Sequence, residues 1–478
     1  MLINRKMFDK YTKFTNRAIQ FGEGNFLRCF IDWQIDILNE KGLDCGITIV
    51  RAIDGGSELT LNSQEGLYTT IIRGIDENDK LVEDKRIISS INDEIEIYKE
   101  YERVEKIFCD ENLEYIFSNT TEAGIEFIEE DKMTDLPPKS FPGKLTKLLY
   151  SRYKKLKKGL VIIPCELIDY NGKELKKIVL KYIELWGLEK EFKNWIEKDN
   201  VWCSTLVDRI VTGYPRKEEK KLRNELGYKD NFMVAGEYFY LFVIQGPKLL
   251  EEKLKLKNSG LNILIVEDIK KYKERKVGIL NGAHTSLVPV AYLYGMNQVR
   301  ESVENKELKS FLEALIYSEI IPSLDMEKSE LEEFAKSVIK RFENPYINHE
   351  LIAISLNSMA KFKTRVLPQM LRYMEIKGEI PKKITFSLAS LIVFYRGKRG
   401  NERIPIKDEF KFIELYNNLW KEYDGNIEGA KKIAESILAL EHWNQNMNGI
   451  KNLTDILGNY IYQIEKFGMS ESLKKVNR

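Results

Sequence analysis

Ala18-Ile-Gln-Phe-Gly-Glu-Gly-Asn-Phe-Leu-Arg28 is the stretch of sequence that indicates the fold most directly. It opens with an apolar run that ends at Phe21, passes through Gly22 and Gly24, and leads into an amphipathic segment over residues 30–38. This is the order of a strand, a glycine turn and a helix. Glycines allow a tight turn and a close backbone approach to a ligand, and the free N–H groups that begin a helix can receive a pyrophosphate. The stretch therefore predicts a nucleotide-binding turn.

A second buried strand is predicted at Gly46-Ile-Thr-Ile-Val50, after that helix, which makes a βαβ unit. Asp54 stands shortly after this strand, where an acid can accept a hydrogen bond from a ribose hydroxyl. A carboxylate there repels a 2′-phosphate, so Asp54 favours NAD over NADP as the cofactor. Two observations weaken this interpretation: Asp54-Gly-Gly is also typical of a plain turn, and Arg51 lies close in sequence.

Polar residues also follow the predicted strand Tyr115-Ile-Phe-Ser118, which runs into Asn119-Thr-Thr-Glu122. Ligands of open α/β sheets bind at the carboxyl ends of the strands, so Asn119 and Thr120 are candidate cofactor contacts. A turn that caps a following helix explains the same residues equally well.

Further strand patterns predict an α/β domain over residues 1–269. Two apolar segments around a polar tip, at residues 68–73 and 81–88, predict an antiparallel hairpin. Buried strands are also predicted at residues 159–166, 239–244 and 262–266. Asp208 and Arg209 lie side by side in another apolar run, and because buried charges usually come paired, a structural ion pair is favoured slightly over direct catalysis.

From about Lys270 the strand patterns almost vanish, and apolar residues recur at the 3.6-residue period of helices. The periodic windows are residues 308–316, 331–338, 352–359, 384–394, 410–419 and 430–440. We therefore predict an all-α second domain over residues 270–478.

The composition favours a small molecule as the partner. The 478 residues include 75 basic and 74 acidic side chains, and a formal charge of +1 gives no general attraction to nucleic acid or to an acidic membrane surface. The first residues lack the apolar core of a signal peptide, and no run approaches the roughly 20 apolar residues of a membrane span, so a cytosolic protein is expected. Five cysteines without a C-x-x-C pair and three histidines without H-x-x-x-H predict no zinc site. The sequence leaves the oligomeric state open.

A base, an amide and an imidazole fall close together in Lys276-Val-Gly-Ile-Leu-Asn281-Gly-Ala-His284. At about 100° per residue of an α-helix, Asn281 lies roughly 140° and His284 roughly 80° round from Lys276, so all three can line one wall of a pocket. Gly278 and Gly282 interrupt this helix at up to ~1 kcal/mol each, which indicates that a backbone or a ligand, such as a flat cofactor ring, comes close. The alternative is a solvated lysine, an asparagine cap and a core histidine.

Four motifs together carry a resemblance to a known family. They are Gly22-x-Gly24-x-Phe26-x-Arg28, Val207-Asp-Arg-Ile210, Lys276-x4-Asn281-x2-His284 and Arg341-Phe-x-Asn344-Pro345. The set resembles the mannitol dehydrogenase family, the polyol-specific long-chain dehydrogenases, and the resemblance covers nearly the whole chain. It implies a metal-independent, NAD-dependent enzyme with a Rossmann-type domain followed by a mainly helical domain.

The resemblance also implies roles for single residues. Lys276 would be the general base, Asn281 would stabilise the alkoxide or carbonyl oxygen, and His284 would position the substrate. Together with the residues above, the expected cofactor contacts are Gly22, Gly24, Asn25, Phe26, Arg28, Asp54, Asn119 and Thr120. One departure matters: mannitol dehydrogenases carry a further asparagine where this chain has Cys165-Glu-Leu167, and Glu166 or Asn171 are the candidates to replace that amide.

Within the family, the wording around residues 20–28, 118–124 and 280–286 is most similar to enzymes that interconvert D-altronate and D-tagaturonate in hexuronate catabolism. A carboxylate-bearing sugar fits the cationic cluster Lys361-Phe-Lys363-Thr-Arg365, in which Lys361 and Arg365 are expected to bind the uronate. A solvated basic helix end is the alternative for these two residues.

Three other functions stay open at the level of sequence. A family member that acts on fructuronate, mannitol or mannitol 1-phosphate fits the same catalytic residues. Tyr272-x-x-x-Lys276 matches the pair of short-chain dehydrogenases, but Tyr150-x-x-x-Lys154 and Tyr153-x-x-x-Lys157 match it too, and the chain is too long for that class. A non-catalytic NAD-sensing protein keeps the glycine turn but predicts no turnover.

Overall fold

The computed structural model describes residues 1–8, 11–55, 58–120 and 124–478. These residues form two compact units. The first comprises Met1–Asp76 and Leu81–Ile269, and the second comprises Glu77–Lys80 and Lys270–Arg478. The first unit is α/β and the second is mainly helical, so the predicted fold class is confirmed.

The described part of the first unit contains the following elements. Its strands are β1 (Asn16–Phe21), β2 (Gly46–Arg51), β3 (Tyr68–Ile75), β4 (Leu81–Ile88), β5 (Ile91–Glu96), β6 (Tyr115–Ser118), β7 (Val161–Pro164), β8 (Val201–Trp202), β9 (Ser204–Asp208), β10 (Val211–Gly213), β11 (Val234–Glu237), β12 (Leu241–Gln245) and β13 (Ile263–Val266). Its helices are α1 (Asn25–Asn39), α2 (Tyr101–Phe108), α3 (Phe141–Lys155), α4 (Asn171–Leu185), α5 (Lys190–Lys198), α6 (Glu219–Leu226) and α7 (Leu250–Lys253).

A six-stranded parallel sheet lies at the centre of the first unit, in the order β5-β2-β1-β6-β7-β8. β1 pairs in parallel with β2 on one side and with β6 on the other. Counted along the chain, the strands of this sheet follow the order 3-2-1-4-5-6 that dinucleotide-binding folds share. Strand order reverses between β1 and β6, and ligands of such sheets bind beyond the carboxyl ends of the strands at this point.

Alternate residues of β1 are buried in two different hydrophobic cores. Ala18 lies in the core that contains Phe30 of α1, whereas Ile19 and Phe21 lie in the core that contains Leu148 of α3. A parallel strand covered on both faces has a continuous apolar sequence. This is why the run before the glycine turn reads as a strand.

The predicted hairpin is confirmed as β3 and β4, which pair in antiparallel register from Tyr68 with Ile88 to Ile75 with Leu81. It belongs to a second sheet of order β10-β11-β3-β4, and a third sheet has the order β13-β12-β9. The residues at its tip, Glu77–Lys80, belong to the second unit.

The second unit contains mainly helices. They are α8 (Lys270–Arg275), α9 (Ala283–Tyr294), α10 (Val299–Glu304), α11 (Lys306–Ala314), α12 (Lys328–Phe342), α13 (Leu351–Ile354), α14 (Ser358–Arg365), α15 (Leu367–Lys377), α16 (Lys382–Phe394), α17 (Phe410–Glu422), α18 (Ile427–Leu438), α19 (Leu453–Phe467) and α20 (Met469–Asn477), with two short strands, β14 (Lys398–Arg399) and β15 (Glu402–Arg403).

α16 is the interior helix of this unit, because every residue from position 383 to 394 is buried and the helix packs against α9 and α19. A helix that is apolar all round belongs in an interior. The predicted helix over residues 352–359 is split instead. α13 ends at Ile354, and Asn357 has a φ of +54° before α14 begins, so the chain turns between them.

One continuous helix carries the Lys276 segment. α8 runs into a π-helical stretch, Lys276–Gly282, which continues as α9. A second π-helical stretch, Leu315–Ile320, follows α11. In the four described ranges, every helix is too short or too polar to cross a membrane.

Candidate functional site

Gly22 begins the turn between β1 and α1, at the carboxyl edge of the parallel sheet. Its φ is +115°, and a Cβ atom at this position would lie 3.0 Å from the carbonyl oxygen of Asn119, just after β6. Only glycine fits here without strain. Dinucleotide-binding turns commonly have the pattern G-x-G-x-x-G, and Leu27 stands at the position of its third glycine. Leu27 is buried, with Cδ1 3.5 Å from the same Cβ position, so the turn is tightly packed without that glycine.

Gly24 differs from Gly22 because no described part of the protein requires a glycine there. Its φ is −64°, and an added Cβ would meet no described atom within 4 Å. Gly24 caps α1 without a side-chain hydrogen bond, so the first N–H groups of the helix have no side-chain acceptor at the cap. A helix start with open space above it admits a pyrophosphate. The turn thus fits the dinucleotide expected from the sequence.

Arg28 holds this turn from inside the protein. It is buried, and its guanidinium donates to Oδ1 of Asn25 at 2.7 Å and to the carbonyl oxygen of Phe232. Asn25 is exposed at the first position of α1, and Phe26 stacks on Phe30 with ring centroids 5.0 Å apart. The structure therefore gives Arg28 a supporting role, and its direct contact with a cofactor stays a prediction.

Glu166 organises the residues that follow β6. Its buried carboxylate accepts hydrogen bonds from the hydroxyls of Ser118 and Thr120 and from the backbone N–H of Thr120, each at 3.0 Å. Burial raises the pKa of Glu166, and these hydrogen bonds oppose that change. The carboxylate thus ties the end of β6 to the end of β7.

Asn119 strengthens the same junction. Its amide nitrogen donates to the carbonyl oxygen of Cys165 at 2.8 Å, and its backbone N–H donates to the carbonyl oxygen of Phe21 at 3.1 Å. Asn119 and Thr120 thus lie at the carboxyl edge next to Gly22, as ligand contacts in such sheets do. Thr121 and Glu122, the rest of the predicted polar segment, lie outside the described residues.

Asn171 and Glu166 do not replace the missing oxyanion amide. The amide nitrogen of Asn171 is 3.0 Å from the carbonyl oxygens of Pro164 and Glu166 and from the hydroxyl of Thr205, and the side chain is buried. Both of its hydrogens are therefore used within the protein, and Glu166 accepts bonds from the segment after β6. Leu167 itself is 66% exposed. The two substitutes considered from the sequence were wrong.

Asp54 is exposed just beyond the end of β2. Arg51, the last residue of β2, is buried against carboxylates of Glu96 at 3.2 Å, Glu94 at 3.6 Å and Glu23 at 3.9 Å. The cation that weakened the predicted preference for NAD is therefore already surrounded by acids.

Lys276 is the first residue of the π-helical stretch and Asn281 the sixth, and His284 is the second residue of α9. Lys276 and Asn281 are half-buried, whereas His284 is buried. A π-helix bonds residue i to residue i+5 and has more residues per turn than an α-helix. The predicted angles of about 140° and 80° were wrong for this reason.

The glycines of this stretch are explained by close helix packing. A Cβ atom at Gly282 would lie 3.1 Å from the carbonyl oxygen of Arg365 in α14, and one at Gly278 would lie 3.3 Å from the amide nitrogen of Gln369 in α15. The expected approach of another backbone is therefore confirmed at Gly282. Protein atoms occupy the space beside both glycines, so the flat cofactor ring suggested from the sequence does not lie there.

His284 is buried, and its Nε2 has no hydrogen-bond partner among the described residues. The ring stacks on Phe342 with centroids 4.1 Å apart and meets His349 edge-on at 5.1 Å. Burial holds the pKa of His284 well below its ordinary 6.5, and four basic neighbours lower it further; the neighbours are His349, Arg341, Arg365 and Lys361. The Nε2 atom of this neutral imidazole is therefore available to a ligand.

Lys361 and Arg365 are four residues apart on α14 and therefore share one face of that helix. The ammonium of Lys361 donates to the carbonyl oxygen of Ile354 at 2.7 Å. Burial and the charge of Arg365 lower the pKa of Lys361. Like charges held together in a partly buried place favour an anion, and a carboxylate would relieve their repulsion.

Two further residues were missed by sequence reasoning. His349 lies against His284, and Asp408 accepts a hydrogen bond at 3.1 Å from the N–H of Met359 near the start of α14, and another from the hydroxyl of Tyr395. His349 follows the Arg341 motif by a few residues in a chain with three histidines, which was a usable signal. Asp408 lies far along the chain from α14, and its sequence gives no such signal.

Arg209 does not form the predicted ion pair with Asp208. Its guanidinium donates to the carbonyl oxygens of Glu237 at 2.9 Å and Cys29 at 2.8 Å and lies over the ring of Trp33 at 4.3 Å. Main-chain oxygens and an aromatic face therefore hold this buried cation. Across the residues that the structure describes, no three His, Cys, Asp or Glu side chains converge as a metal site requires.

The first unit's strand order and its open glycine turn define a Rossmann-type dinucleotide-binding fold, which a helical second unit follows. Two solved structures share this fold. A D-sorbitol dehydrogenase in substrate-free form gives a TM-score of 0.82 at 21% identity, over 99% of this chain and 100% of that one. The Pseudomonas fluorescens mannitol 2-dehydrogenase, a ternary complex with NAD and D-mannitol, gives 0.70 at 19% identity, over 99% of both chains.

Sequence comparison is more specific. The mannitol dehydrogenase Rossmann domain matches residues 16–258, and the mannitol dehydrogenase C-terminal domain matches residues 268–463. Proteins named altronate oxidoreductase are 49% identical in Escherichia coli strain 536 and 48% identical in strain HS, over 478 residues and 99% of each chain. The chain therefore belongs to the mannitol dehydrogenase family and is an oxidoreductase, which confirms the resemblance found in the sequence.

Proposed function

We propose that this protein interconverts D-altronate and D-tagaturonate with NAD, as a tagaturonate reductase of hexuronate catabolism. Relatives named altronate oxidoreductase support this, because they match 99% of the chain at 48–49% identity. The observation in this molecule that carries the proposal is the buried His284, whose Nε2 has no described partner and whose neighbours are four basic side chains. A sugar acid matches such a place, with an oxygen for the imidazole and a carboxylate for the cations.

The first unit would hold NAD at the carboxyl edge of its parallel sheet. The residues assigned to it are Gly22, Gly24, Asn25, Phe26, Arg28, Asp54, Asn119 and Thr120. The open space at Gly24 and the uncapped start of α1 support this assignment. When bound, NAD would supply the hydride acceptor for oxidation of the alcohol carbon, and NADH would supply the hydride for reduction of the ketone.

NAD is proposed rather than NADP because of the acids around β2. Asp54 is exposed where a carboxylate accepts a hydrogen bond from a ribose and repels a 2′-phosphate. Arg51, the nearby cation, is buried against Glu94 and Glu96. Comparable catalytic efficiency with NADPH and NADH would contradict this preference.

Lys276 is proposed as the general base. Oxidation of a secondary alcohol requires removal of the hydroxyl proton, and the neutral amine of Lys276 accepts it; in reduction the ammonium gives it back to the carbonyl oxygen. Asn281 donates an amide N–H to that oxygen as negative charge develops on it. His284, which stays neutral in its buried place, orients the same oxygen.

The carboxylate of the sugar acid is assigned to Lys361 and Arg365. Both lie on one face of α14 and both act on the electrostatics of His284. Arginine can bind a carboxylate through two parallel hydrogen bonds. The charge pattern therefore favours a uronate-derived substrate over a neutral polyol.

The direct test follows NADH consumption with tagaturonate, fructuronate and fructose side by side. We expect tagaturonate to give the highest kcat/KM, because fructose lacks the carboxylate and fructuronate differs in the configuration of its hydroxyls. Faster turnover of fructuronate would transfer the assignment to that substrate, and faster turnover of fructose would contradict the role of Lys361 and Arg365. Absence of turnover with every substrate would favour the non-catalytic alternative.

We also propose that the enzyme works in the cytosol and without a bound metal. Its five cysteines are all free and buried, which fits a reducing compartment. No metal is needed for the proposed reaction, because Lys276 removes the hydroxyl proton and Asn281 stabilises the negative charge on the oxygen. Activity that survives prolonged chelation would agree with this, and loss restored by a divalent cation would contradict it.

A further inference from the structure

His349 lies in the loop between α12 and α13, and its main chain is held in place. Its carbonyl oxygen accepts a hydrogen bond from the N–H of Val299 at 3.0 Å. The next residue, Glu350, forms an antiparallel bridge with Gln298, and their side chains are also hydrogen-bonded at 3.1 Å. The position of the His349 backbone is therefore fixed independently of any ligand.

The imidazole of His349 is in a different situation, because it hydrogen-bonds no other side chain or backbone group in the described part of the chain. The ring meets His284 at 5.1 Å, with the two planes 80° apart. Burial, followed by the charge of Lys361, lowers the pKa of His349. The result is a neutral ring with two unused nitrogens, beside His284 and within range of the charge on Lys361.

The hydrogen-bonding groups of the protein here can be matched with those of a sugar acid. Lys361 and Arg365 can only donate hydrogen bonds, and a carboxylate can only accept them. A neutral imidazole has one donor and one acceptor nitrogen, which matches a hydroxyl group, since a hydroxyl also does both. A sugar acid carries hydroxyls along the carbons between its reacting oxygen and its carboxylate.

We infer that His349 is a specificity-determining residue that binds one of these hydroxyls on the sugar acid. The inference rests on the proposed function, because His284 marks the reacting end of the substrate and Lys361 the carboxylate end. His349 lies beside the first and is influenced by the second. It therefore distinguishes sugar acids that differ at the hydroxyl it contacts.

The test uses the full-length enzyme, NAD, altronate and a panel of altronate analogues that each lack one hydroxyl. In the parent enzyme one analogue should lose about tenfold in kcat/KM beyond the others, which corresponds to one hydrogen bond. His349→Phe keeps an aromatic ring against His284 but removes both nitrogens. It should lower kcat/KM for altronate about tenfold, mainly through KM, and should turn over that one analogue as well as it turns over altronate. His349→Gln should restore part of the selectivity.

The matched control is His442→Phe. The ring of His442 packs against Phe412, and its Nε2 contacts the carbonyl oxygen of Met359 at 3.1 Å, so this variant alters a histidine of the same unit with a structural role. It should keep the selectivity pattern of the parent.

Three outcomes overturn the assignment. If His349→Phe slows every substrate by the same factor, or leaves altronate turnover unchanged, His349 binds no hydroxyl, while the proposed function stands because the parent remains active. If the parent turns over none of these sugar acids, the proposed function fails and the inference fails with it. A residual preference against the same analogue in both His349→Phe and His349→Gln places the hydroxyl contact on another residue.

Discussion

The glycine turn of the first unit and the π-helical stretch of the second each contain two glycines, but the glycines serve different purposes. Gly22 faces the backbone of Asn119, Gly278 faces Gln369, and Gly282 faces the carbonyl oxygen of Arg365. Gly24 alone among the four faces no described atom within 4 Å and has an ordinary φ. The open space at Gly24 therefore fits a ligand that approaches the start of α1.

The two units differ in the same way in the proposed function. The pyrophosphate of NAD is proposed to bind main-chain N–H groups at the start of α1, which substitutions can obstruct but not delete. The sugar acid is proposed to bind side chains, from Lys276 to Arg365, which substitutions delete one at a time. Cofactor binding and turnover should therefore respond to different mutations.

The largest expected effect is that of Lys276→Ala. General-base catalysis contributes ~10²–10⁴-fold, so altronate oxidation should fall by at least this factor, whereas the Kd for NADH should hardly change. Lys271→Ala, at an exposed position of α8, is the control and should behave as the parent. Steady-state rates and fluorescence titration with NADH measure the two quantities. Near-normal turnover by Lys276→Ala would place the base elsewhere.

The next largest effect concerns the binding of the substrate's carboxylate. Arg365→Ala and Lys361→Ala should each raise KM for tagaturonate about 10- to 100-fold, because a hydrogen bond between charged groups contributes ~1.5–3 kcal/mol. Lys363→Ala is the matched control on the same helix, since the ammonium of Lys363 donates to Asn444 at 3.0 Å. If all three variants keep the KM of the parent, the basic face of α14 is only solvated.

Alanine substitutions at the glycines test whether Gly24 serves the cofactor while Gly22 and Gly282 serve packing. Gly24→Ala should weaken NADH binding about tenfold or more and leave the melting temperature unchanged. Gly22→Ala should lower the free energy of unfolding by ~1–3 kcal/mol, because alanine is strained at a φ of +115°. Gly282→Ala should destabilise the protein without changing the affinity for NADH. If Gly24→Ala and Gly282→Ala weaken NADH binding equally, Gly24 has no special role in cofactor binding.

The smallest effect concerns one buried acid in each unit. Burial raises the pKa of Asp32 in α1 from 3.8 to about 7, and it raises the pKa of Glu319 in the second π-helical stretch from 4.5 to about 7. Because the folded protein binds these protons more tightly than the unfolded chain, the resulting stability is fully present below the ordinary pKa and is lost as the pH rises through about 7.

Asp32→Asn and Glu319→Gln remove this titration. Each variant should lose less stability than the parent between pH 5 and pH 8, with a change of about 1–2 °C in the melting temperature for each kcal/mol in a chain of this length. Glu333→Gln, at an exposed position of α12, should follow the parent. The measurement is thermal unfolding of the parent and the three variants at pH 5 and pH 8. An identical decrease in melting temperature in all four proteins would show that neither acid has a raised pKa.

Much of the fold could be predicted because its signals are local. The apolar run, the two glycines and the amphipathic segment are consecutive in sequence, and the helical half repeats an apolar residue every 3.6 positions. The residues Lys276, Asn281 and His284 were found by their spacing within nine positions. Each of these patterns can be recognised without knowing which residues pack against it in the folded protein.

The parts that were missed depend on contacts between distant residues. The π-helical geometry of the Lys276 segment accompanies the close approach of Arg365, and the role of Glu166 depends on β6 and β7 lying side by side. Arg28 was expected to contact the cofactor, and its contacts with the carbonyl oxygen of Phe232 and with Asn25 could not be read from the sequence. Sequence identifies a residue type that suits a site, but its partners decide what that residue does.

The π-helical stretch limits how the length of this chain can change between Lys276 and Gly282 during evolution. A π-turn accommodates one more residue than the α-helical turn it replaces, so deleting a single residue between Lys276 and Gly282 would let the whole segment from α8 to α9 become α-helical. Lys276 would then turn by about 100° about the helix axis relative to His284. The alignment of the Lys276 amine with the His284 imidazole therefore depends on the length of the chain between them, and the gain or loss of one codon there would change it.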